Sequence, residues 1–294
     1  MREQVRKDSY GVDIFSRWWP IVSPVAVVII AHGASEHSGR YDRFAQALNA
    51  RAIAAIAIDH RGHGRTALTT NAVMGPGGGQ AVVDDIHELV ARSRAEFGPD
   101  VPVFLFGHSM GSLIALAYIT QHGDSLAGCV LCGMPADVNE TAGLGDLLSP
   151  FDTDATRDEP AVDLLASNNA AFEPARTPYD WLSRDPVEVD KYIADPLCGD
   201  QHPLTYGYLI DLFTTLAPAR ASLEAISYPV LVIAGDHDPA ANMGAYASAL
   251  AAALAESAVS VDLRIYEGAR HELLNEVNRD EITADVIDWL SDCI

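Results

Sequence analysis

Ser109 sits in Gly107-His108-Ser109-Met110-Gly111, between the apolar run 101–106 and a second apolar run, 112–119. A serine hydroxyl is a weak nucleophile until a base removes its proton. G-x-S-x-G between a strand and a helix is the turn that offers such a hydroxyl to a base. The turn must be tight enough to strain the backbone of Ser109, and the flanking strand and helix crowd positions 107 and 111, so only small residues fit there. The pattern predicts a strand through 101–106, a sharp turn at Ser109 and a buried helix behind it.

A nucleophilic serine also needs a base, a group that orients the base, and donors for the developing oxyanion. Where this elbow occurs the chain order is Ser, then Asp or Glu, then His. The C-terminal third supplies both partners. The apolar stretch 228–234 reads as a buried strand running into Gly235-Asp236-His237-Asp238-Pro239, and a second strand pattern, 259–266, leads into Glu267-Gly268-Ala269-Arg270-His271-Glu272. An acid and a His at the C-terminal ends of two strands converge on one edge of a parallel sheet. His271 is then the base, and a carboxylate holds its tautomer and stabilises the imidazolium. Two aspartates compete for that place. Asp238 is favoured, because the turn opened by Gly235 carries the chain outward and the later residue points back toward the His loop. Asp236 reads as a turn residue that satisfies its own backbone.

The oxyanion donors are expected from two loops. One is the backbone N–H of Met110, the residue after the nucleophile. The other is the N–H of Ala34, in the loop His32-Gly33-Ala34-Ser35 that follows the apolar strand pattern 25–31. Gly33 lets this loop approach closely, with no Cβ in the way. His32 precedes the serine and His271 already has an acid, so His32 is read as a hydrogen-bonded pin of the loop.

The segments His32-Gly33-Ala34-Ser35-Glu36-His37-Ser38-Gly39-Arg40-Tyr41, Asp59-His60-Arg61-Gly62-His63-Gly64 and Gly107–Gly111 resemble the monoacylglycerol lipase and lysophospholipase branch of the α/β-hydrolases. Tyr266-Glu267-Gly268-Ala269-Arg270-His271-Glu272-Leu273-Leu274-Asn275-Glu276 resembles the segment carrying that branch's catalytic His. The likeness covers both ends of the chain well and the middle poorly. It implies a serine ester hydrolase with Ser109, Asp238 and His271 as triad, and it supports Asp238 over Asp236. Ser35 and Ser112 depart from the branch's usual glycines, and Ser35 adds a side chain beside the oxyanion loop.

The elements that must position these residues are legible from periodicity. Strand and helix signals alternate from Val25 to Gly133. After the strand pattern 53–58, Val82, Val83, Ile86, Leu89 and Val90 mark the buried face of a helix from about Gly79 to Phe97. Met243, Tyr246, Leu250 and Leu254 predict a helix between the two late strands, and Ile282, Val286 and Leu290 a last one. Alternation of this kind implies an α/β fold, a mostly parallel doubly wound sheet with helices on both faces. Between about Pro135 and Ser227 it breaks: nine of the sixteen prolines fall there, and carboxylates outnumber basic side chains 17 to 5. The chain is therefore read as a hydrolase core, 1–134 and 228–294, interrupted by a helical cap, 135–227. Apolar bursts in the cap (Leu144, Leu147, Leu148; Leu164, Leu165; Trp181, Leu182; Tyr206, Tyr208, Leu209, Leu212, Phe213) are candidates to line an acyl tunnel or to pack the cap on the core.

With 294 residues, 49% of them apolar, the chain suffices for one large domain with an insertion. Its net charge of −22 argues against nucleic acid as a partner and against attraction to anionic membranes. No run reaches a membrane span and no signal pattern opens the sequence, so a cytoplasmic protein is expected. A helical lid exposing apolar surface can still touch lipid or pair with another lid. Cys129 and Cys132 form C-x-x-C within a strand pattern, where positions three apart face opposite sides, and are read as core thiols. His60 and His63 lack further ligands at metal spacing and are read as shaping the loop near the elbow. No cofactor or metal is expected. Acyl transfer from a monoacylglycerol-, lysophospholipid- or related small apolar ester is the leading expectation. An aminopeptidase, a thioesterase or an aromatic-ester hydrolase is the alternative on the same triad, and a non-catalytic binding module is disfavoured because every triad member is present in order.

Overall fold

Strands built wholly of apolar residues, such as Ala26–Ala31 and Ile53–Ile58, must be covered on both faces, which places them inside a layered sheet. The computed structural model describes residues 1–161 and 167–294. In chain order its strands are β1 (Arg2–Lys7), β2 (Asp13–Trp19), β3 (Ala26–Ala31), β4 (Ile53–Ile58), β5 (Val103–His108), β6 (Gly128–Cys132), β7 (Val230–Gly235) and β8 (Val261–Tyr266). They lie side by side as β1-β2-β4-β3-β5-β6-β7-β8. β1 and β2 pair antiparallel, as do β2 and β4, and the remaining pairs are parallel. The strand order reverses between β3 and β5, which are neighbours with Ala31 opposite Gly107. Loops leaving both strands therefore meet at a switch point, the crevice where α/β sheets bind ligands.

The helices are α1 (Asp42–Ala50), α2 (Gly78–Phe97), α3 (Met110–Gln121), α4 (Thr141–Leu148), α5 (Pro186–Ala194), α6 (Tyr206–Leu216), α7 (Ala245–Glu256) and α8 (Arg279–Asp292). One sheet face, with Val27, Ile29 and Leu105, packs against Ile86 of α2, Leu116 of α3 and Leu250 of α7. The other, with Val28, Ile30 and Phe106, packs against Leu48 of α1 and Val286 of α8. Each such buried side chain contributes roughly 1.5–3 kcal/mol. Helix α3 is buried all round, because α6 and the turn 219–225 cover the side that faces away from the sheet. This is the α/β-hydrolase architecture.

Two features differ from the sequence reading. The antiparallel pair β1–β2 and helix α1 are absent from it, although Phe44, Ala45 and Leu48 give α1 a clear buried face. Met243 is not on α7: Asn242, Met243 and Gly244 all take left-handed φ, so the helix starts at Ala245 and Met243 is exposed. As their spacing predicts, Cys129 and Cys132 lie on opposite faces of β6, one in each core. From 135 to 227 the described residues form α4, α5, α6 and short 3-10 turns, with isolated bridges at Ala72–Leu204 and Pro160–Thr205. Leu164 and Leu165 lie outside the described residues. Among the described residues no helix is long and apolar enough to cross a membrane.

Candidate active site

Ser109 joins β5 to α3 at φ 52°, ψ −121°, a conformation closed to most L-residues unless the surroundings enforce it. The enforcement is steric. A Cβ at Gly107 would stand 2.4 Å from the Gly111 carbonyl oxygen, and one at Gly111 would stand 2.1 Å from that of Ala31. The Ser109 N–H donates to the Cys132 carbonyl at 2.9 Å, tying the elbow to β6.

His271 follows β8 and Asp238 follows β7, and His271 Nδ1 meets Asp238 Oδ2 at 2.8 Å with both side chains buried. Burial opposes a charged imidazole, but the Asp238 carboxylate outweighs it, so the pKa of His271 is raised above the ordinary 6.5. The His271 ring lies between those of Trp181 and His108, each 4.9 Å away. Burial, with His271 alongside, pushes His108 down to about 4, so it is neutral at pH 7. Asp236 is turned elsewhere: its Oδ1 contacts His237 Nδ1 at 2.7 Å and accepts from the Gly268 N–H at 2.7 Å. Ser109 and His271 line one cavity, and the closed hydrogen bond within the trio is that between His271 and Asp238.

The loop after β3 is held by a relay. The His60 N–H donates to His32 Nε2 at 3.0 Å, which leaves the proton on Nδ1, and Nδ1–H donates to the Gly33 carbonyl at 2.7 Å. Burial lowers the pKa of His32 and keeps the ring neutral. Because the peptide is planar, fixing the Gly33 carbonyl fixes the opposite direction of the Ala34 N–H. Ala34 and Met110 line the cavity with Ser109, and among the described residues neither N–H has a protein acceptor. His63 packs edge-on against both His32 and Tyr208, and burial pushes it down to about 3.

Sequence reasoning gave no role to an ionic cluster beside this loop. Arg40 binds Glu272 through both guanidinium nitrogens, at 2.6 and 2.7 Å, and Glu36 at 2.8 Å. The other Glu36 oxygen accepts from the Gly33 N–H at 2.6 Å and from the Tyr41 hydroxyl at 2.9 Å. Burial penalises the Glu36 carboxylate, but Arg40 and these donors hold it down at about 2. Glu36 and Arg40 stand four apart and could be paired from sequence, whereas Glu272 is brought in by the fold.

The cavity over Ser109 has a volume of about 320 Å³. Leu113 of the core, Trp181, Leu204, and Leu209, Leu212 and Phe213 of α6 supply apolar wall. Of the other bursts, Leu147 is exposed, Tyr208 is buried against α2 side chains, and Leu182 lines a smaller space behind His271. Among the described residues, His37, Asp195 and Cys198 form the one group whose donor atoms could hold a metal, lying within 4.8 Å of one another. His37 Nε2 already bonds Asp195 Oδ2 at 3.0 Å, and burial raises the Cys198 thiol, so the group reads as a polar strut.

A serine on a strained elbow, a buried His–carboxylate pair and two N–H groups without a protein acceptor among the described residues, around a mainly apolar cavity, are the parts that acyl transfer would need. Comparison with known proteins agrees. The family model described as "Serine aminopeptidase, S33" matches residues 22–278. A monoacylglycerol lipase of Mycolicibacterium smegmatis is 32% identical over 289 residues, covering 94% of this chain and 92% of its own. The human monoglyceride lipase is 32% identical over 278 residues, covering 91% and 82%. Among solved structures, a thermostable carboxyl esterase from Bacillus coagulans in complex with glycerol superimposes with a TM-score of 0.90 at 28% identity, covering 99% of this chain and 98% of its own.

Proposed function

Since the chain belongs to the monoacylglycerol lipase-like branch of the α/β-hydrolases, within the family described as serine aminopeptidase S33, we propose that it cleaves monoacylglycerol- or lysophospholipid-like esters through a Ser109 acyl-enzyme. The chain is an ester hydrolase of the α/β-hydrolase family. The observation that carries the narrower reading is the mainly apolar cavity reaching from α6 to Ser109 and His271, with room for an acyl chain.

In this reading Ser109 Oγ attacks the ester carbonyl carbon while His271 Nε2 takes its proton, and Asp238 stabilises the imidazolium that forms. The tetrahedral oxyanion is received by the N–H groups of Ala34 and Met110. The C–O bond then breaks, His271 returns the proton to the leaving alcohol, and the acyl group remains on Ser109. Water attacks the acyl-enzyme with His271 again as base, releasing the acid and regenerating Ser109. Residues 135–227 act as a cap over the core formed by 1–134 and 228–294, and α6 supplies part of the acyl wall. Glu36 and Glu272 are both bound to Arg40, which leaves the exposed Asp200, among the described residues, as the carboxylate on the cavity wall that a substrate amine would meet if the chain were an aminopeptidase.

The test is hydrolysis of p-nitrophenyl esters from acetate to palmitate, and of 1-monoacylglycerols of matching length, by the wild type and Ser109→Ala. Activity is expected to peak on medium or long chains and to fall by at least about a thousandfold in a folded Ser109→Ala. Retention of most activity in that variant would overturn the mechanism. Turnover confined to short or aromatic esters would remove the lipid assignment, and turnover of aminoacyl p-nitroanilides would favour a peptidase.

A further inference from the structure

Residues 192–199, in the segment read as the cap, reach the loop after β3 at three points. The Tyr192 hydroxyl donates to the Ser35 carbonyl at 3.0 Å, and the Gly199 N–H donates to the same carbonyl at 2.9 Å. Asp195 accepts from His37 Nε2 at 3.0 Å, because His37 Nδ1 is already occupied as acceptor by the Gly39 N–H. Ser35 follows Ala34 directly and stands at φ 53°, a left-handed conformation that a residue with a Cβ keeps only under outside constraint. Both donors to its carbonyl come from the cap.

The Ala34 N–H is thus braced from two sides by different parts of the molecule. On the Gly33 side the braces belong to the core, His32 on the carbonyl and Glu36 on the N–H. On the Ser35 side they belong to the cap. The Tyr192 ring also covers the Arg40 guanidinium at 4.8 Å, and Arg40 holds Glu36, so one side chain meets the Ser35 carbonyl directly and the Glu36 brace through Arg40.

We propose that Tyr192 is a positioning residue: through the Ser35 carbonyl, the cap completes the oxyanion hole by holding Ala34 in its donor orientation. The inference rests on the reading of Ala34 as an oxyanion donor. It makes the cap part of the apparatus for the transition state as well as a wall for the acyl chain.

Tyr192→Phe keeps the ring over Arg40 and removes only the hydroxyl. With a medium-chain p-nitrophenyl ester, kcat should fall about three- to tenfold, the share of one neutral hydrogen bond, while KM stays within about twofold. A trifluoromethyl ketone of the same chain length, whose adduct with Ser109 places an oxyanion in the hole, should weaken by the same factor. A fatty alcohol, which fills the cavity and forms no oxyanion, should bind as it does to wild type. Unchanged kcat and ketone affinity would overturn the proposal. So would equal losses for ketone and alcohol, which would mean that Tyr192 merely shapes the cap. Should Tyr192→Phe fold poorly, Asp195→Ala, which removes the acceptor of the His37 bond, must show the same split at a smaller size, about twofold, and its absence there also overturns the proposal. Activity retained by Ser109→Ala would instead reject the parent reading, whatever Tyr192 does.

Discussion

In the proposed mechanism His271 accepts the Ser109 proton only when its ring is neutral, so its environment sets the acid side of the pH profile. The Asp238 carboxylate at 2.8 Å raises the pKa of His271 above 6.5 in spite of burial. The sign follows directly. As pH falls through the raised pKa the base becomes imidazolium, so kcat/KM should drop with a single limb centred above pH 6.5. His108, held at about 4, does not titrate in that range and adds no second limb. In Asp238→Asn the charge that raised His271 is gone and the limb should move to lower pH. The plateau should also fall by about 10⁴, because an amide no longer selects the tautomer that presents a bare Nε2. A pH series of kcat/KM on wild type and variant checks both. A limb that stays in place would mean that Asp238 does not set the charge state of the base.

At the scale of elements, the close approach of β3, β5 and α3 makes the site, and Gly111 measures it. A Cβ there would lie 2.1 Å from the Ala31 oxygen and 2.6 Å from that of His32, both backbone atoms that cannot swing away. Gly111→Ala should therefore force α3 off β3 and cost about 1–3 kcal/mol, read as a lower urea midpoint. Activity should fall further than stability, because α3 begins with Met110, whose N–H is proposed to receive the oxyanion and which lines the cavity. Gly143, inside α4, has nothing within 4 Å of a Cβ, so Gly143→Ala should instead gain about 0.5–1 kcal/mol. Equal effects of the two changes would contradict the packing argument. The same packing explains what could be read from residues alone. Strands β3 to β7 are buried on both faces and stand out as unbroken apolar runs, and the elbow glycines carry their steric reason in their spacing. β1, on an exposed edge, carries one apolar residue, Val5, among Arg2, Glu3, Gln4, Arg6 and Lys7, and such a pattern does not separate a strand from a loop. The late start of α7 depends on left-handed φ at Asn242 and Met243, a backbone state that their side chains do not announce.

At the scale of the whole molecule, the Glu36–Arg40–Glu272 cluster joins the loop after β3, the loop after β8 and, through Tyr192, the segment 192–199. Glu36 and Arg40 stand four residues apart, but the second carboxylate on Arg40, Glu272, lies 232 residues beyond it, and only the convergence of the β3 and β8 loops brings it in. A buried cluster of this kind is weak evidence of net stabilisation, yet removing one partner leaves uncompensated charge. Arg40→Met would strand two buried carboxylates and should cost about 3–5 kcal/mol at pH 7. The pH dependence distinguishes this cause from lost packing. In the wild type Glu36 is held at about 2, below its ordinary 4.5, so its contribution is fully present above pH 4.5 and is lost as pH falls toward 2. Without Arg40, burial raises the pKa of Glu36, and the folded variant takes up a proton at higher pH than its unfolded chain. Its penalty should therefore shrink as pH falls from 7 to 5, while the wild-type cluster remains intact. Urea denaturation of both proteins at pH 7, 6 and 5 measures the gap. A gap that narrows places the cost in stranded charge, whereas a constant gap would mean that Arg40 serves chiefly as packing beneath Tyr192.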